Sequence, residues 1–212
     1  MTHDGMTVID TIRLPLDGAN EYIAQWRERA GKVSRAPGFR SARMHRATSA
    51  DAPLPLVMVA EWDSVAARDA ALRDSAFRAS ARAAGAKAEV VGSEYRVAAE
   101  YRSAVHSDGP GITFVNVFEL PAEHFEEFLA HWRTRAELMS AAPGFRDNRL
   151  HRALDPAARY TAVNVAHWDS AAAWRSATEN PAFQRRLAAA PGFATAHPQL
   201  YEVVAGFPAE DR

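Results

Sequence analysis

The residues best suited to chemistry lie in a short apolar run, residues 163–168. Asn164 and Trp168 are four positions apart in this run, and in a β-strand that spacing puts both side chains on one face. An amide in an otherwise apolar strand must find a hydrogen-bond partner or cost about 1–3 kcal/mol. Beside an aromatic wall, such an amide could bind and polarise an aromatic molecule. Asn164 and Trp168 are therefore candidate site residues.

These two residues belong to the second copy of an internal repeat. Shifting the chain by 106 positions brings its halves into register without an insertion. Trp26 then meets Trp132, Trp62 meets Trp168, and the motif Ala-Pro-Gly-Phe occurs once in each half. A constant offset across several such blocks indicates the tandem duplication of one structural unit.

Each half has the pattern of a β-α-β-β-α-β unit. In the second half, apolar runs predict strands at residues 112–120, 145–153, 160–168 and 199–205. Apolar residues at three- and four-residue spacing predict the first helix: Phe125, Phe128, Leu129, Trp132, Ala136 and Met139. Asp-Ser after the third strand is a good N-cap for a second helix. The pattern predicts an α+β fold with two tandem ferredoxin-like (βαββαβ) repeats.

The boundaries and the packing of the repeats follow from this pattern. We expect an N-terminal repeat at residues 1–102, a linker at 103–111 and a C-terminal repeat at 112–212. A sheet with both helices on one face leaves its other face exposed, which would be a large apolar patch. We therefore expect the repeats to pack sheet to sheet as an intramolecular pseudo-dimeric α+β barrel. Such a chain can be a monomer, and a further homodimer stays open.

Composition excludes several classes of protein. The chain has 212 residues, a net charge of −1 and no cysteine, so cysteine-based metal sites, disulfides and thiolate catalysis are ruled out. Nucleic-acid binders usually have a basic face, which the charge balance does not suggest. We find neither a signal peptide nor an apolar stretch of the ~20 residues that a membrane span needs. We expect a cytoplasmic protein with no nucleic-acid or membrane partner.

Two blocks of the sequence resemble a known family. Ala-Pro-Gly-Phe after the first helix, together with Asn164-Val165-Ala166-His167-Trp168-Asp169-Ser170, is similar to the antibiotic-biosynthesis monooxygenase family of dimeric α+β barrels. The resemblance implies oxidation of polycyclic phenols to quinones by dioxygen, typically without metal or flavin. Relatives on the same fold degrade haem or isomerise or cyclise polyketides, so the fold alone does not determine the chemistry.

The resemblance also implies roles for residues that differ between the halves. Its anthrone-oxidising branch has an Asn and a Trp at the spacing of Asn164 and Trp168, whereas the first half has Met58 and Trp62. Further aromatic and arginine positions of that branch match Trp174 and Arg185 or Arg186, which are candidate substrate-binding residues. The C-terminal repeat is therefore the candidate active unit, and the N-terminal repeat is expected to be structural.

The strand before Asn164 adds two candidates. Arg149 and His151 share a face of that strand, as their counterparts do in the first half. In the reaction that we expect, an aromatic phenol or anthrone loses a proton and its enolate gives an electron to dioxygen, the co-substrate. Asn164 would donate to the oxyanion, His151 would be the base or proton shuttle, and Arg149 would help to hold the substrate. No other cofactor is required.

Other functions stay open. The duplicated unit could bind a hydrophobic small molecule without turnover, or it could be a polyketide cyclase or isomerase on the same fold. Eight histidines raise the question of metal, but no HExxH motif or closely spaced histidine pair is present. The haem-degrading relatives need an axial histidine on the second helix, and none occurs between Trp168 and His197. We expect no metal site.

Overall fold

The computed structural model describes residues 5–73, 79, 88–104 and 109–208. Within them the chain forms eight strands and five α-helices, numbered here in chain order. They are β1 (Met6–Arg13), α1 (Ala19–Val33), β2 (Phe39–Ala47), β3 (Leu56–Trp62), α2 (Val65–Ala71), β4 (Glu89–Arg102), β5 (Ile112–Glu119), α3 (Phe125–Ser140), β6 (Phe145–Ala153), β7 (Ala162–Trp168), α4 (Ala171–Thr178), α5 (Pro181–Ala188) and β8 (Thr195–Phe207). The expected two tandem ferredoxin-like repeats are confirmed. Residues 105–108 of the predicted linker lie outside the described residues.

The first helix of the second repeat, α3, forms where its apolar stripe predicts. Six side chains of the stripe are buried against the sheet: Phe125, Phe128, Leu129, Trp132, Ala136 and Met139. Burial of such a stripe, rather than intrinsic propensity, supplies most of a helix's stability.

No helix within the described ranges is both long enough and apolar enough to cross a membrane.

The Ala-Pro-Gly-Phe motif ends the first helix of each repeat with a tight turn. Gly38 and Gly144 have φ values of +81° and +80°, a region that side chains other than glycine rarely adopt. A Cβ at Gly144 would lie 2.7 Å from the Cβ of Ala173 in α4, so this turn also packs closely on the following helix. The side chain of Ser170 accepts a hydrogen bond from the Ala173 amide and caps α4.

The chain divides into two compact units whose bounds differ from those of the repeats. The end of the last strand of each repeat belongs to the unit of the other repeat. The N-terminal unit contains residues 1–96 and 203–212, and the C-terminal unit contains residues 97–202. In the N-terminal unit the strand order is β4, β1, β3, β2 and the end of β8. In the C-terminal unit it is the beginning of β8, then β5, β7, β6 and the end of β4. Each unit therefore has a sheet that a strand of the other repeat completes.

Strands β4 and β8 are longer than the sequence pattern predicts. The expected last strand of the second repeat was residues 199–205, which the repeat offset places at 93–99 in the first, whereas the observed strands are Thr195–Phe207 and Glu89–Arg102. The end of β4 continues because it pairs beside β6, where the Ser103 amide donates to the Arg146 carbonyl at 2.7 Å. Pro198 usually argues against a paired strand, yet it lies opposite Asn116 in the ladder between β8 and β5.

Candidate active site

The C-terminal unit encloses a cavity of about 420 Å³ between α3, α4, α5 and the helix-facing side of its sheet. Its walls are mostly aromatic and aliphatic, and this volume falls in the range of small-molecule sites. The aromatic side chains in the wall are Phe114, Phe118, Phe128, Trp132, Trp168, Trp174 and Phe183. The polar ones are Asn116, Asn148, Asn164, Arg135, Thr178 and Gln184. The wall is therefore mostly apolar, with a few polar groups among the aromatic rings.

Asn164 lies on β7 with only 5% of its surface exposed, and it lines this cavity. The indole Nε1–H of Trp132 donates to Asn164 Oδ1 at 3.1 Å. Because indole nitrogen is only a donor, this bond identifies the amide oxygen and leaves the NH2 group to donate elsewhere. The amide oxygen is therefore held by a bond from α3, and Asn164 also lines the cavity.

Two further asparagines line the same wall. Asn116 on β5 is paired directly with Asn164 across the antiparallel ladder, and Asn148 on β6 is paired with Ala166. The Oδ1 atoms of Asn116 and Asn148 are buried and have no hydrogen-bond partner within the described residues. A buried unpaired acceptor costs about 1–3 kcal/mol, so both oxygens would gain from the hydroxyl groups of a ligand.

Arg135 gives the cavity its only positive charge among the described lining residues. Its Nη1 is buried without a partner in the described part of the chain, and burial lowers the pKa of its guanidinium. A buried guanidinium without a partner is costly, so a ligand oxygen with negative charge would be stabilised here. The site thus combines an aromatic wall with amide and guanidinium groups.

The structure brings Trp168 and Trp174 to the cavity together with Asn164. Trp168 is 1% exposed and packs edge-to-face on Phe145 at 5.3 Å between ring centroids. The equivalent rings of Phe39 and Trp62 are also 5.3 Å apart in the N-terminal unit, so this pair supports the fold in both repeats. Trp174 on α4 has no aromatic counterpart in the first half and contacts Phe114 at 5.1 Å.

His151 and Arg149 do not join this site. In the ladder between β6 and β7, Leu150 is paired with Asn164 and His151 with Val163, so His151 faces the opposite side of the sheet. Its Nδ1 is 3.2 Å from the Val163 carbonyl oxygen, matching the 3.1 Å from His45 to Val57 in the first repeat. Arg149 lies on the same opposite side and its Nε donates to Glu100 at 2.7 Å.

Arg185 and Arg186 are exposed on α5 and neither lines the cavity. Arg186 donates through Nη1 to the Thr134 carbonyl oxygen, which joins α5 to α3. On the same short helix, Gln184 and Leu187 do line the cavity. Both arginines are thus on a helix that contributes to the cavity wall, but their own side chains are exposed and do not line it.

Arg135 and Asn148 are cavity residues that sequence reasoning missed. A signal for Arg135 exists, since it lies three residues after Trp132 and next to Ala136, within the buried stripe of α3. Its counterpart Arg29 also follows a tryptophan by three residues. No comparable signal identifies Asn148, because its strand, β6, has polar residues on both of its faces.

The N-terminal unit also has a cavity at the equivalent place of its repeat. This cavity has a volume of about 360 Å³ and lies on the helix-facing side of the sheet, with Met58 and Trp62 in its wall. The asparagine positions of the C-terminal cavity are occupied by other residues: Asp10 replaces Asn116, Ala42 replaces Asn148 and Met58 replaces Asn164. The two cavities therefore share a place in the fold but differ in chemistry.

Solved structures with a similar fold come from proteins of related description. An anthrone oxidase-like protein matches all of this chain and 97% of its own, with a TM-score of 0.77 and 17% sequence identity. A monooxygenase-like protein from Listeria innocua matches 95% of both chains with a TM-score of 0.52 and 17% identity. At this identity the similarity establishes the fold alone. No curated protein matches the chain in sequence.

The family model for antibiotic biosynthesis monooxygenases matches the sequence twice, at residues 5–83 and 111–189. The two matches begin 106 positions apart, which is the offset of the internal repeat. Together they span more than half of the chain, and each covers the first five elements of one β-α-β-β-α-β repeat and ends before its last strand. The chain therefore belongs to the antibiotic biosynthesis monooxygenase family, with the domain of that family present in tandem.

Proposed function

We propose that the C-terminal cavity is a monooxygenase site that oxidises an aromatic polyketide-type phenol or anthrone to a quinone with dioxygen and without a cofactor. The observation that carries the proposal is the buried Asn164 amide, which lines the cavity and whose oxygen accepts a hydrogen bond from Trp132. The similar fold of an anthrone oxidase-like protein makes an anthrone the first substrate to test.

The residues of the cavity support the formation of a substrate anion. A planar ring system lies between Trp168 and Trp174, and its carbonyl or phenolic oxygen receives hydrogen bonds from Asn164 and Arg135. These donors stabilise negative charge in an apolar cavity, where such stabilisation is strongest. The substrate proton passes to water, because His151 is on the other side of the sheet. The unpaired oxygens of Asn116 and Asn148 accept from the hydroxyl groups of the substrate.

The oxidation then uses electrons of the substrate itself. The substrate anion gives one electron to dioxygen, and the resulting radical and superoxide combine and take up a proton to form a hydroperoxide. Loss of water from the hydroperoxide leaves the quinone. One oxygen atom of dioxygen is retained in the quinone, and the other leaves as water.

Anthrone-dependent oxygen uptake tests the proposal. In the wild-type chain we expect uptake with stoichiometric formation of anthraquinone. Asn164→Ala removes one oxyanion donor and should lower kcat/KM about 100-fold, the usual scale for such a donor. The matched control is Met58→Ala at the equivalent position of the other repeat, which should retain wild-type uptake. Absence of uptake in the wild type, or equal rates in the wild type and Asn164→Ala, would refute the proposal.

Binding without turnover is the second candidate, and one observation favours it. The described lining of the C-terminal cavity contains no carboxylate and no imidazole, so it has no side chain that takes a proton at neutral pH. Such a cavity could hold a hydroxylated aromatic molecule without transforming it. Quenching of tryptophan fluorescence by anthraquinone, with no oxygen uptake from anthrone, would identify this function.

A further inference from the structure

The cavity of the N-terminal unit has polar groups that the proposed monooxygenase site does not use. It is lined by Tyr22, Trp26 and Trp62, and its charged residues are Asp10, Arg29 and Arg68. Its volume of about 360 Å³ is within the range of small-molecule sites. A carboxylate in an aromatic cavity requires an explanation, because an ionised group in an apolar place is costly unless it is paired.

Asp10 lies in the middle of β1, between Met58 on β3 and Gly92 on β4. A Cβ at Gly92 would come 2.0 Å from Asp10 Oδ1, so the absence of a side chain at this position makes room for the carboxylate. Within the part of the chain that the structure describes, the carboxylate accepts no hydrogen bond, and it lines the cavity. Burial raises the pKa of Asp10 to about 6, against an opposing effect of Arg68.

The charged groups around Asp10 differ in whether they are already paired. Arg68 on α2 forms ion pairs with Asp69 and Glu94, at 2.7 Å each, so its guanidinium is engaged. Arg29 on α1 is 6% exposed, and its Nη1 has no partner among the described residues. Tyr22, also on α1, lies beside Arg29, with the guanidinium carbon 5.7 Å from the centre of its ring.

Arg29 therefore lines the cavity from the helix side, and its Nη1 is a donor without a partner among the described residues. A guanidinium is planar and carries its N–H groups as a fork that matches a carboxylate. On the strand side, the ionised Asp10 can accept a hydrogen bond from a hydroxyl group. The two groups together are complementary to a flat molecule that carries an anionic group and a hydroxyl at separate positions.

We propose that the N-terminal unit contains a second ligand site, in which Arg29 binds the carboxylate of a planar aromatic acid and Asp10 accepts the hydrogen bond of its hydroxyl group. This site is distinct from the proposed monooxygenase site, where the position of Asp10 is an amide and three asparagines line the wall. The tandem chain then has two cavities with different ligand chemistry, rather than one active and one structural repeat.

Calorimetric titration of the full chain with 6-hydroxy-2-naphthoate tests this proposal. We expect binding that weakens at least tenfold in Arg29→Met. Arg133→Met, which changes an exposed arginine on α3 that lines neither cavity, is the control and should leave this binding unchanged. Wild-type affinity in Arg29→Met, or no binding to the wild-type chain, would overturn the proposal.

The isosteric variant Asp10→Asn provides a second test of the proposed ligand site if Arg29→Met does not fold. The wild-type chain should bind 6-hydroxy-2-naphthoate at least fivefold more tightly than 2-naphthoate, which lacks the hydroxyl group. Asp10→Asn should lose most of this preference, and retention of the full preference would contradict the role of Asp10. Anthrone-dependent oxygen uptake is measured on the same variant. Because it reports on the other cavity, it separates a failure of this proposal from a failure of the monooxygenase proposal.

Discussion

At the scale of single residues, one position of the repeat separates the two cavities. Asp10 and Asn116 occupy the same place on the first strand of each repeat, and both lie beside a cavity. Replacing an amide by a carboxylate keeps the shape of the side chain and adds a charge that depends on pH. The protein should therefore show a pH dependence of stability that originates in its N-terminal unit.

Asp10→Asn should change how stability depends on pH. The pKa of Asp10 is about 6 in the folded chain, against about 3.9 in an unfolded one, so the folded state holds the proton more tightly. The contribution of this group is complete below about pH 4 and is lost as the pH rises through 6. Urea unfolding at pH 4, 5, 6 and 7 should show the variant gaining roughly 1–3 kcal/mol over the wild type at pH 7.

At pH 4 the two proteins should differ much less, since Asp10 is protonated in the folded chain and about half protonated in the unfolded one. Asp51→Asn, which removes an exposed carboxylate, serves as the control and should not show this trend. A constant difference between Asp10→Asn and the wild type from pH 4 to pH 7 would contradict the interpretation.

At the scale of elements, the hydrogen bond from Trp132 to Asn164 joins helix α3 to strand β7. Trp26 occupies the same position on α1, and Met58 faces it where Asn164 stands in the other repeat. Both tryptophans are buried. Trp132 contacts Tyr101 and Trp26 contacts Phe207, each at 5.9 Å between ring centroids. The two tryptophans thus have similar aromatic contacts, and they differ in the hydrogen bond that Trp132 donates to Asn164.

Trp132→Phe should destabilise the protein more than Trp26→Phe. Both substitutions remove a similar apolar area, but only the first leaves the buried Asn164 oxygen without its donor, which costs about 1–3 kcal/mol. We expect the difference in the free energy of unfolding, measured in urea, to have this size. Equal losses in the two variants would show that the bond contributes no net stability.

At the scale of the whole molecule, the repeats of the sequence are not the compact units of the structure. The N-terminal unit includes Val203 and the residues after it, which belong to the last strand of the second repeat. Within that unit Phe207 packs on Trp26, and the Val204 carbonyl oxygen accepts from Arg27. A sheet that loses such a strand has an unpaired edge that invites association with another chain.

Residues 1–102 expressed alone should therefore not form a folded monomer. We expect the fragment to be either unfolded or self-associated, because it lacks the strand end that completes its unit. Circular dichroism combined with light scattering after gel filtration measures both properties, with the full chain as the reference. A monomeric fragment that unfolds cooperatively at the temperature of the full chain would contradict this expectation.

Much of the fold could be predicted from local patterns, because the spacing of apolar residues within a segment indicates whether it forms a helix or a strand. The stripe of α3 was predicted residue by residue, and the bounds of β6 agree with the prediction. The pattern was least informative in β8, where Pro198 interrupts the sequence pattern of a strand and exposed residues are mixed with half-buried ones. That strand is held by its neighbours in the ladder rather than by its own propensity.

The sequence by itself determined the duplication, the order of the elements, the family and the shared face of Asn164 and Trp168, because all of these depend on the types of residue and their spacing along the chain. Only the tertiary structure decided which faces meet. The register of β6 against β7 places His151 on the far side of the sheet from Asn164, and no property of either strand alone determines that register. Tertiary packing also brought Arg135, Asn148 and Asp10 to the cavities, since a cavity is formed by side chains from elements that are distant in the chain.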